Sequence, residues 1–349
     1  MRPPAAASAS SSHSRLSRIG LGSWVFGRTG WGGQDDRDSI ATILRAVELG
    51  IDWIDTGAVY GGGHAERIVA RALSQLAPDE RPFVFTKGGM RIDGAGATYL
   101  DLTPDSLRAD CEASLRRLGA QQLDLYQIHW PVADLGAVQA AWETLAVLRE
   151  EGKIRLAGVS NFDLDLLELC ASLAPIDSVQ SPLSLLTREA ATDILPWAAD
   201  AGAWVLTYSP LESGLLSGRF SERRLRALPA DDWRSRREPF QAPRLQRGLA
   251  LVEHLRPLAA ELGASPAALA IAWTLNWPGV SGAIAGARTP AQLDEWVAAG
   301  GLALDGAMFD AIADALLRTG AGSGPLRPQD VRHPSQGPGS ARGAEAARA

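Results

Sequence analysis

The chain has 349 residues, 46% hydrophobic and 21% charged, which excludes a disordered or fibrous polypeptide and fits one large or two ordinary globular domains. A formal net charge of −6 leaves no basic footprint for nucleic acid, and no run approaches the roughly 18 apolar residues of a membrane span. Cys111 and Cys170 lie in helical patterns and read as reduced, buried thiols of a cytoplasmic protein.

In chain order, residues 1–15 form an Ala/Ser-rich tail without the apolar core of a secretory signal, and this tail is read as disordered. From there on, short apolar runs alternate with amphipathic segments. Strands are predicted in IGLGSW (19–24), IDWID (51–55), PFVFTK (82–87), LDLYQIH (123–129), IRLAGVS (154–160), DSVQ (177–180), AWVLTYS (203–209) and SGAIAG (281–286). Helices are predicted over 37–49, 64–76, 104–118, 137–151, 163–173, 188–201, 245–262 and 265–276. The helix at 104–118 carries the fullest signals. Thr103 takes the N-cap position, Pro104 the first turn and Gly119 the C-terminal end, while Leu107, Cys111, Leu115 and Leu118 share one face.

The strands are mostly continuous apolar runs, as parallel strands covered on both faces should be. Eight βα units predict an α/β fold, a single-domain (β/α)8 TIM barrel over residues 16–320. No strand runs into a G-x-G-x-x-G turn, which weighs against an open dinucleotide-binding sheet. Residues 321–349, rich in Gly, Pro and Ala, are expected to be mostly disordered.

Chemistry in such a barrel gathers at the C-terminal ends of the strands. Those ends carry Gly22, Ser23 and Trp24; Asp55 with Tyr60 on its loop; Lys87; His129; Ser160 and Asn161; Gln180; Tyr208 and Ser209; and Gly286, Ala287 and Arg288. Alone, Lys87 reads as a solvated charge and His129 as a core histidine. Together, Asp55, Tyr60, Lys87 and His129 form a proton-donating set. An ammonium beside the phenol is expected to lower its pKa, a carboxylate to balance the buried ammonium, and a neutral imidazole to orient a carbonyl. The set suits reduction of a carbonyl by an external hydride.

The segments IDWIDTGAVYGGGHAE, FTKGG, LDLYQIHWP, GKIRLAGVSNF, SVQSPLSLL, YSPLESGLLSG and GARTPAQLDE together resemble the aldo-keto reductase family. The likeness runs from Leu16 to Leu317, and the long loop carrying DDWRSRREPFQAPRL is similar to that of bacterial stress- and inositol-associated members and potassium-channel β subunits. The resemblance implies the catalytic tetrad Asp55, Tyr60, Lys87 and His129, with Tyr60 as general acid. It implies that Ser160, Asn161 and Gln180 hold a nicotinamide carboxamide and that Tyr208 stacks on its ring. The loop Ser209 to Gly218, with Pro210, Leu211, Gly214 and Leu216, would wrap the pyrophosphate. Arg288 would meet the 2′-phosphate of NADPH, with Gln292 and Glu295 along the adenosine. Trp296 departs from the family's usual Asn, and would either stack on the adenine or pack outward on its helix. His64 in the glycine loop reads as a solvated histidine.

The implied cofactor is NADP(H), with NAD as the alternative. The expected partner is a small carbonyl substrate, with neither nucleic acid nor membrane, in a monomer or homo-oligomer. Two rival readings stand beside this one: a cofactor-loaded binding or sensor module with slow turnover, and a Schiff-base lyase using Lys87. A metal-dependent hydrolase is weaker, because of His13, His64, His129, His254 and His333 only His129 ends a strand.

Overall fold

The computed structural model describes residues 16–28 and 30–331, so the expected N-terminal tail and the last 18 residues, with His13 and His333, lie outside the described part. All eight predicted barrel strands are present. They are β1 (Ile19–Gly22), β2 (Trp53–Asp55), β3 (Phe83–Gly88), β6 (Leu123–Ile128), β7 (Ile154–Ser160), β8 (Ser178–Pro182), β9 (Trp204–Tyr208) and β10 (Val280–Gly286). They close a parallel barrel in the order β1-β10-β9-β8-β7-β6-β3-β2. A hairpin of β4 (Met90–Ile92) and β5 (Thr98–Leu100), which the sequence reading did not foresee, follows β3 outside the barrel.

Seven predicted helices fall within three residues of their expected ends; the eighth, at 188–201, shrinks to Ile194–Asp200 behind a short 3-10 turn at Glu189–Ala191. Its first turn is lost because Arg188 is buried and its guanidinium is committed to backbone carbonyls. Thr103 does stand at the head of Pro104–Leu118, but its hydroxyl donates to Asp101 Oδ1 at 2.7 Å instead of capping the helix. A further helix, Gly306–Thr319, is capped by Asp305, which accepts from Met308 N at 2.8 Å, and is closed by left-handed Gly320.

Alternation along the strands fixes what fills the barrel. Trp53, Phe85, Leu125, Leu206 and Ile284 pack together inside it. The Trp53 ring lies so close to β1 and β10 that a Cβ on Gly20 or Gly282 would come within 2.4 and 2.8 Å of it. Two residues further along the same strands come Asp55, Lys87, Gln127 and Tyr208. The apolar floor therefore places a polar layer at the barrel mouth.

The expected disorder from residue 321 is corrected for its first part: residues 321–331 are described, and Ala321 is buried in the main core. Cys111 and Cys170 are free and buried, and burial pushes both thiols up to about 12. Among the described residues no single helix is long and apolar enough to cross a membrane.

Candidate active site

The polar layer is built around one ion pair. Lys87, fully buried at the end of β3, donates through Nζ to Asp55 Oδ1 at 2.6 Å, to Asp55 Oδ2 at 2.7 Å and to Thr56 O at 2.9 Å. These three contacts use all three protons of an ammonium. Gln180 at the end of β8 donates to Asp55 Oδ2 at 2.9 Å and to Gln127 Oε1 at 3.1 Å, and Gln127 in turn donates to Ser178 Oγ at 3.0 Å. Carboxylate, ammonium and two amides thus form a satisfied network across β2, β3, β6 and β8. Gln127 is the member the sequence reading missed. Its signal was the inward alternation Leu125, Gln127, His129 along LDLYQIH.

Tyr60 stands over this network. The Lys87 Nζ is 5.6 Å from the centre of its ring, and His129 meets it edge-on with centroids 5.7 Å apart. Burial, then the carboxylate of Asp55, push the phenol well above its ordinary range. This corrects the expectation that Lys87 lowers it. The ammonium's donors are spent on Asp55 and Thr56, and the pair presents little net positive charge to the phenol. Burial, then the Lys87 charge, hold His129 well below the usual histidine range, so it is a neutral imidazole. Burial also pulls Lys87 down, against the opposing pull of Asp55.

The glycine loop earns its composition by a close approach. Gly61 has φ of +62°, and a Cβ there would lie 2.2 Å from Gly27 O; a Cβ on Gly27 would lie 2.7 Å from the Tyr60 carbonyl carbon. The glycines therefore seat the Tyr60 loop against the turn after β1. His64 is not solvated as expected: it begins the helix His64–Leu73, is half-buried, and its Nε2 is 2.9 Å from Asp36 Oδ1.

Around the mouth, Asn161 (φ +65°) donates to His129 O and to Ser160 Oγ, each at 3.0 Å, and its Oδ1 accepts from the Tyr208 hydroxyl at 2.6 Å. In the loop after β9, Ser209, Glu212 and Ser213 are left-handed although none is glycine, as are Gly214 and Gly218. Glu212, absent from the sequence reading, anchors this loop: its Oε1 accepts from Ser184 Oγ at 2.5 Å and Thr187 Oγ1 at 2.8 Å. A Cβ on Gly218 would meet Pro266 at 3.0 Å, whereas one on Gly214 would come no nearer than 3.9 Å, to Arg234. Leu216 and Ala287 are buried.

At the far end, Arg288 follows β10 as expected, but its guanidinium is already engaged by the segment 31–34. Gln292 accepts from Arg288 N at 2.7 Å, and Glu295 pairs with Arg219 at 2.6 Å. Trp296 neither packs outward nor offers an open face for stacking; it is buried in the main core at 3% exposure. Trp24, Trp31 and Trp233 pack ring to ring with centroids 5.0 to 5.4 Å apart, and Trp24 lies 6.4 Å from Tyr60, walling one side of the mouth.

Ser23 Oγ, Thr56 Oγ1 and His129 Nδ1 are buried without a hydrogen-bond partner. With the left-handed loop 209–214 and the arginine beyond it, these orphaned groups fit an elongated polar cofactor such as a dinucleotide. Among the described residues no three His, Cys, Asp or Glu converge as metal ligands.

Comparison with known proteins agrees with this arrangement. A sequence model of the aldo/keto reductase family matches residues 18–316. An aldo-keto reductase of Bacillus subtilis is 37% identical over 279 residues, 80% of this chain and 83% of its own length. The NADH-specific methylglyoxal reductase of Escherichia coli is 36% identical over 320 residues, 87% of this chain and 96% of its own. The structure of a glycerol dehydrogenase from Gluconobacter oxydans matches with a TM-score of 0.80 at 37% identity, covering 90% of this chain and 94% of that one.

Proposed function

Because the chain belongs to the aldo/keto reductase family, and is therefore a nicotinamide-dependent oxidoreductase of carbonyl and alcohol groups, we propose that it reduces a small aldehyde or ketone with Tyr60 as the general acid. The observation that carries this reading is the phenol held protonated above a closed Asp55–Lys87 pair and edge-on to a neutral His129. The cofactor is NADP(H) or NAD(H), and what it supplies when bound is a hydride for the carbonyl carbon. Ser160, Asn161 and Gln180 would hold its nicotinamide end, the loop 209–218 its pyrophosphate and Arg288 its adenosine end.

The protein's own part is to receive the charge that develops on the substrate oxygen. Tyr60 gives that oxygen its proton as the alkoxide forms. His129, neutral and fixed against Tyr60, orients the carbonyl without competing as an acid. Lys87 and Asp55 keep the site's electrostatics constant while the phenol gives up its proton. A Schiff base on Lys87 is disfavoured: the amine is fully buried and its three donors are used. Two of the relatives are named for methylglyoxal and glycerol, so small oxygenated three-carbon compounds are the first substrates to assay.

The deciding experiment is Tyr60→Phe. It should leave dinucleotide binding nearly intact and lower carbonyl reduction by roughly a hundred- to ten-thousandfold, because only the proton donor is removed. Near-native turnover of an unactivated ketone by this variant would refute the assignment.

A further inference from the structure

The segment Gly30 to Gln34, GWGGQ, turns through three left-handed glycines with φ of +75°, +71° and +81° at positions 30, 32 and 33. It is held from above by the loop after β9: Trp233 N donates to Gly30 O at 3.0 Å, and a Cβ on Gly32 would strike Pro229 at 2.6 Å. This path turns carbonyl oxygens inward, toward Arg288. The guanidinium donates through Nε to Gln34 Oε1 at 3.0 Å, through one terminal nitrogen to Trp31 O at 3.1 Å, and through the other to Gly33 O. Gln34, itself buried, returns a bond from Nε2 to Arg288 O at 2.8 Å. The Arg288 backbone is pinned a second time by Gln292, which accepts from its N–H.

Every guanidinium nitrogen therefore already has an acceptor. An arginine grips a phosphate best through two parallel N–H bonds from adjacent nitrogens, and here three of its five N–H groups, including the single one on Nε, are committed to the protein. We propose that Gln34 is a determinant of cofactor preference: it holds Arg288 on the segment 31–34, which thereby competes with the 2′-phosphate of NADPH and leaves NADH unaffected. This rests on the reading that places the adenosine ribose at Arg288. Nε has no second N–H, so a 2′-phosphate gripped through Nε and its neighbouring terminal nitrogen must displace Gln34 Oε1. NADH carries only a hydroxyl at that position and displaces none. Among the contacts on Arg288 from this segment, Gln34 makes the one that comes from a side chain, so it is the one substitution can remove. Its amide bonds Arg288 in both directions, so its loss frees Nε and one of the two backbone anchors, while Trp31 O, Gly33 O and Gln292 keep their bonds.

The test is titration of NADH and NADPH into the full-length protein, followed by quenching of tryptophan fluorescence, in wild type, Gln34→Ala, Gln34→Glu and Arg288→Ala. Losing one charge-assisted competitor should tighten NADPH about five- to tenfold in Gln34→Ala, while NADH stays within about twofold. Gln34→Glu sacrifices the bond to Arg288 O but sets an anion beside the guanidinium, and it should weaken NADPH selectively. Equal changes for the two cofactors in both Gln34 variants would overturn the proposal. Arg288→Ala separates the two ways of failing. A loss confined to NADPH there, with no gain in Gln34→Ala, overturns the competition alone. Equal losses of both cofactors show that Arg288 does not meet the phosphate, and the proposal falls with that placement.

Discussion

At Tyr60 the balance between burial and a neighbouring cation decides the direction in which the site works best. Burial and Asp55 raise the phenol well above its ordinary value of 10, so the proton needed for reduction is present throughout the neutral and mildly alkaline range. The reverse reaction needs the phenolate, which is scarce there. Reduction measured as kcat/KM should therefore be level from about pH 7 to 10, while alcohol oxidation climbs with pH across the same window. A reduction rate that falls with an apparent pKa near 8 would instead restore the lowering role first expected of Lys87. The neighbouring glycines allow a separate check. Gly61 and Gly62 have nearly the same left-handed φ, +62° and +59°, but only Gly61 is pressed against backbone, at Gly27 O; Gly62 faces open space. Gly62→Ala should cost about 1–2 kcal/mol of stability from its φ alone and keep its turnover. Gly61→Ala must move Tyr60, and a displacement near 1 Å should lower kcat on the order of a hundredfold. Thermal melts and steady-state kinetics on the pair separate the two effects.

Among the elements, the loop after β9 carries the most backbone strain near the site. Three non-glycine residues, Ser209, Glu212 and Ser213, are left-handed within five positions, and such conformations cost on the order of 1–3 kcal/mol each unless the surroundings hold them. Glu212 is what holds them here, through the hydroxyls of Ser184 and Thr187. Glu212→Gln keeps an acceptor and should bind dinucleotide like the wild type. Glu212→Ala releases the loop and should weaken binding about tenfold with kcat little changed; calorimetric titration reads the first and saturating kinetics the second. This anchor was not legible in YSPLESGLLSG, because its partners lie on a different loop that only barrel closure brings near. What was legible was local. Continuous apolar runs marked all eight barrel strands, and strand-end position marked Asp55, Lys87 and His129. The helix Gly306–Thr319 was legible too, from Asp305, Gly320 and the spacing of Phe309, Ile312 and Leu316, and was overlooked. Trp296 was misjudged, and the partners of Arg288 were not foreseen, for the opposite reason. Arg288 does follow the last strand, but what the two residues touch depends on distant segments, the main core for Trp296 and residues 31–34 for Arg288.

Across the whole molecule, the segment after Gly320 shows how composition misleads. GAGSGP reads as a flexible tail, yet its glycines permit docking. A Cβ on Gly322 (φ +68°) would lie 2.4 Å from Leu186 O, and one on Gly324 (φ +95°) 2.6 Å from the Arg188 carbonyl carbon. Backbone bonds join Arg188 N to Ser323 O at 3.0 Å and Ser323 N to Leu186 O at 3.2 Å. Buried Arg188 closes the contact by donating to the carbonyls of Leu185, Ala321, Gly324 and Pro325. The loop on which this strap rests is the one that supplies Ser184 and Thr187 to Glu212, so the strap supports the strained cofactor loop from behind. Gly322→Ala combines a backbone clash with a left-handed φ and should cost roughly 2–4 kcal/mol, which lowers the Tm by several degrees in a domain of this size. Limited proteolysis should then cut between 320 and 331 before the barrel opens. Because the support of Ser184 and Thr187 is loosened as well, dinucleotide binding should weaken in step with the melting temperature, in the same sense as in Glu212→Ala. A Gly322→Ala protein that melts lower yet binds dinucleotide with unchanged affinity would show that the strap stabilises the barrel without supporting the loop.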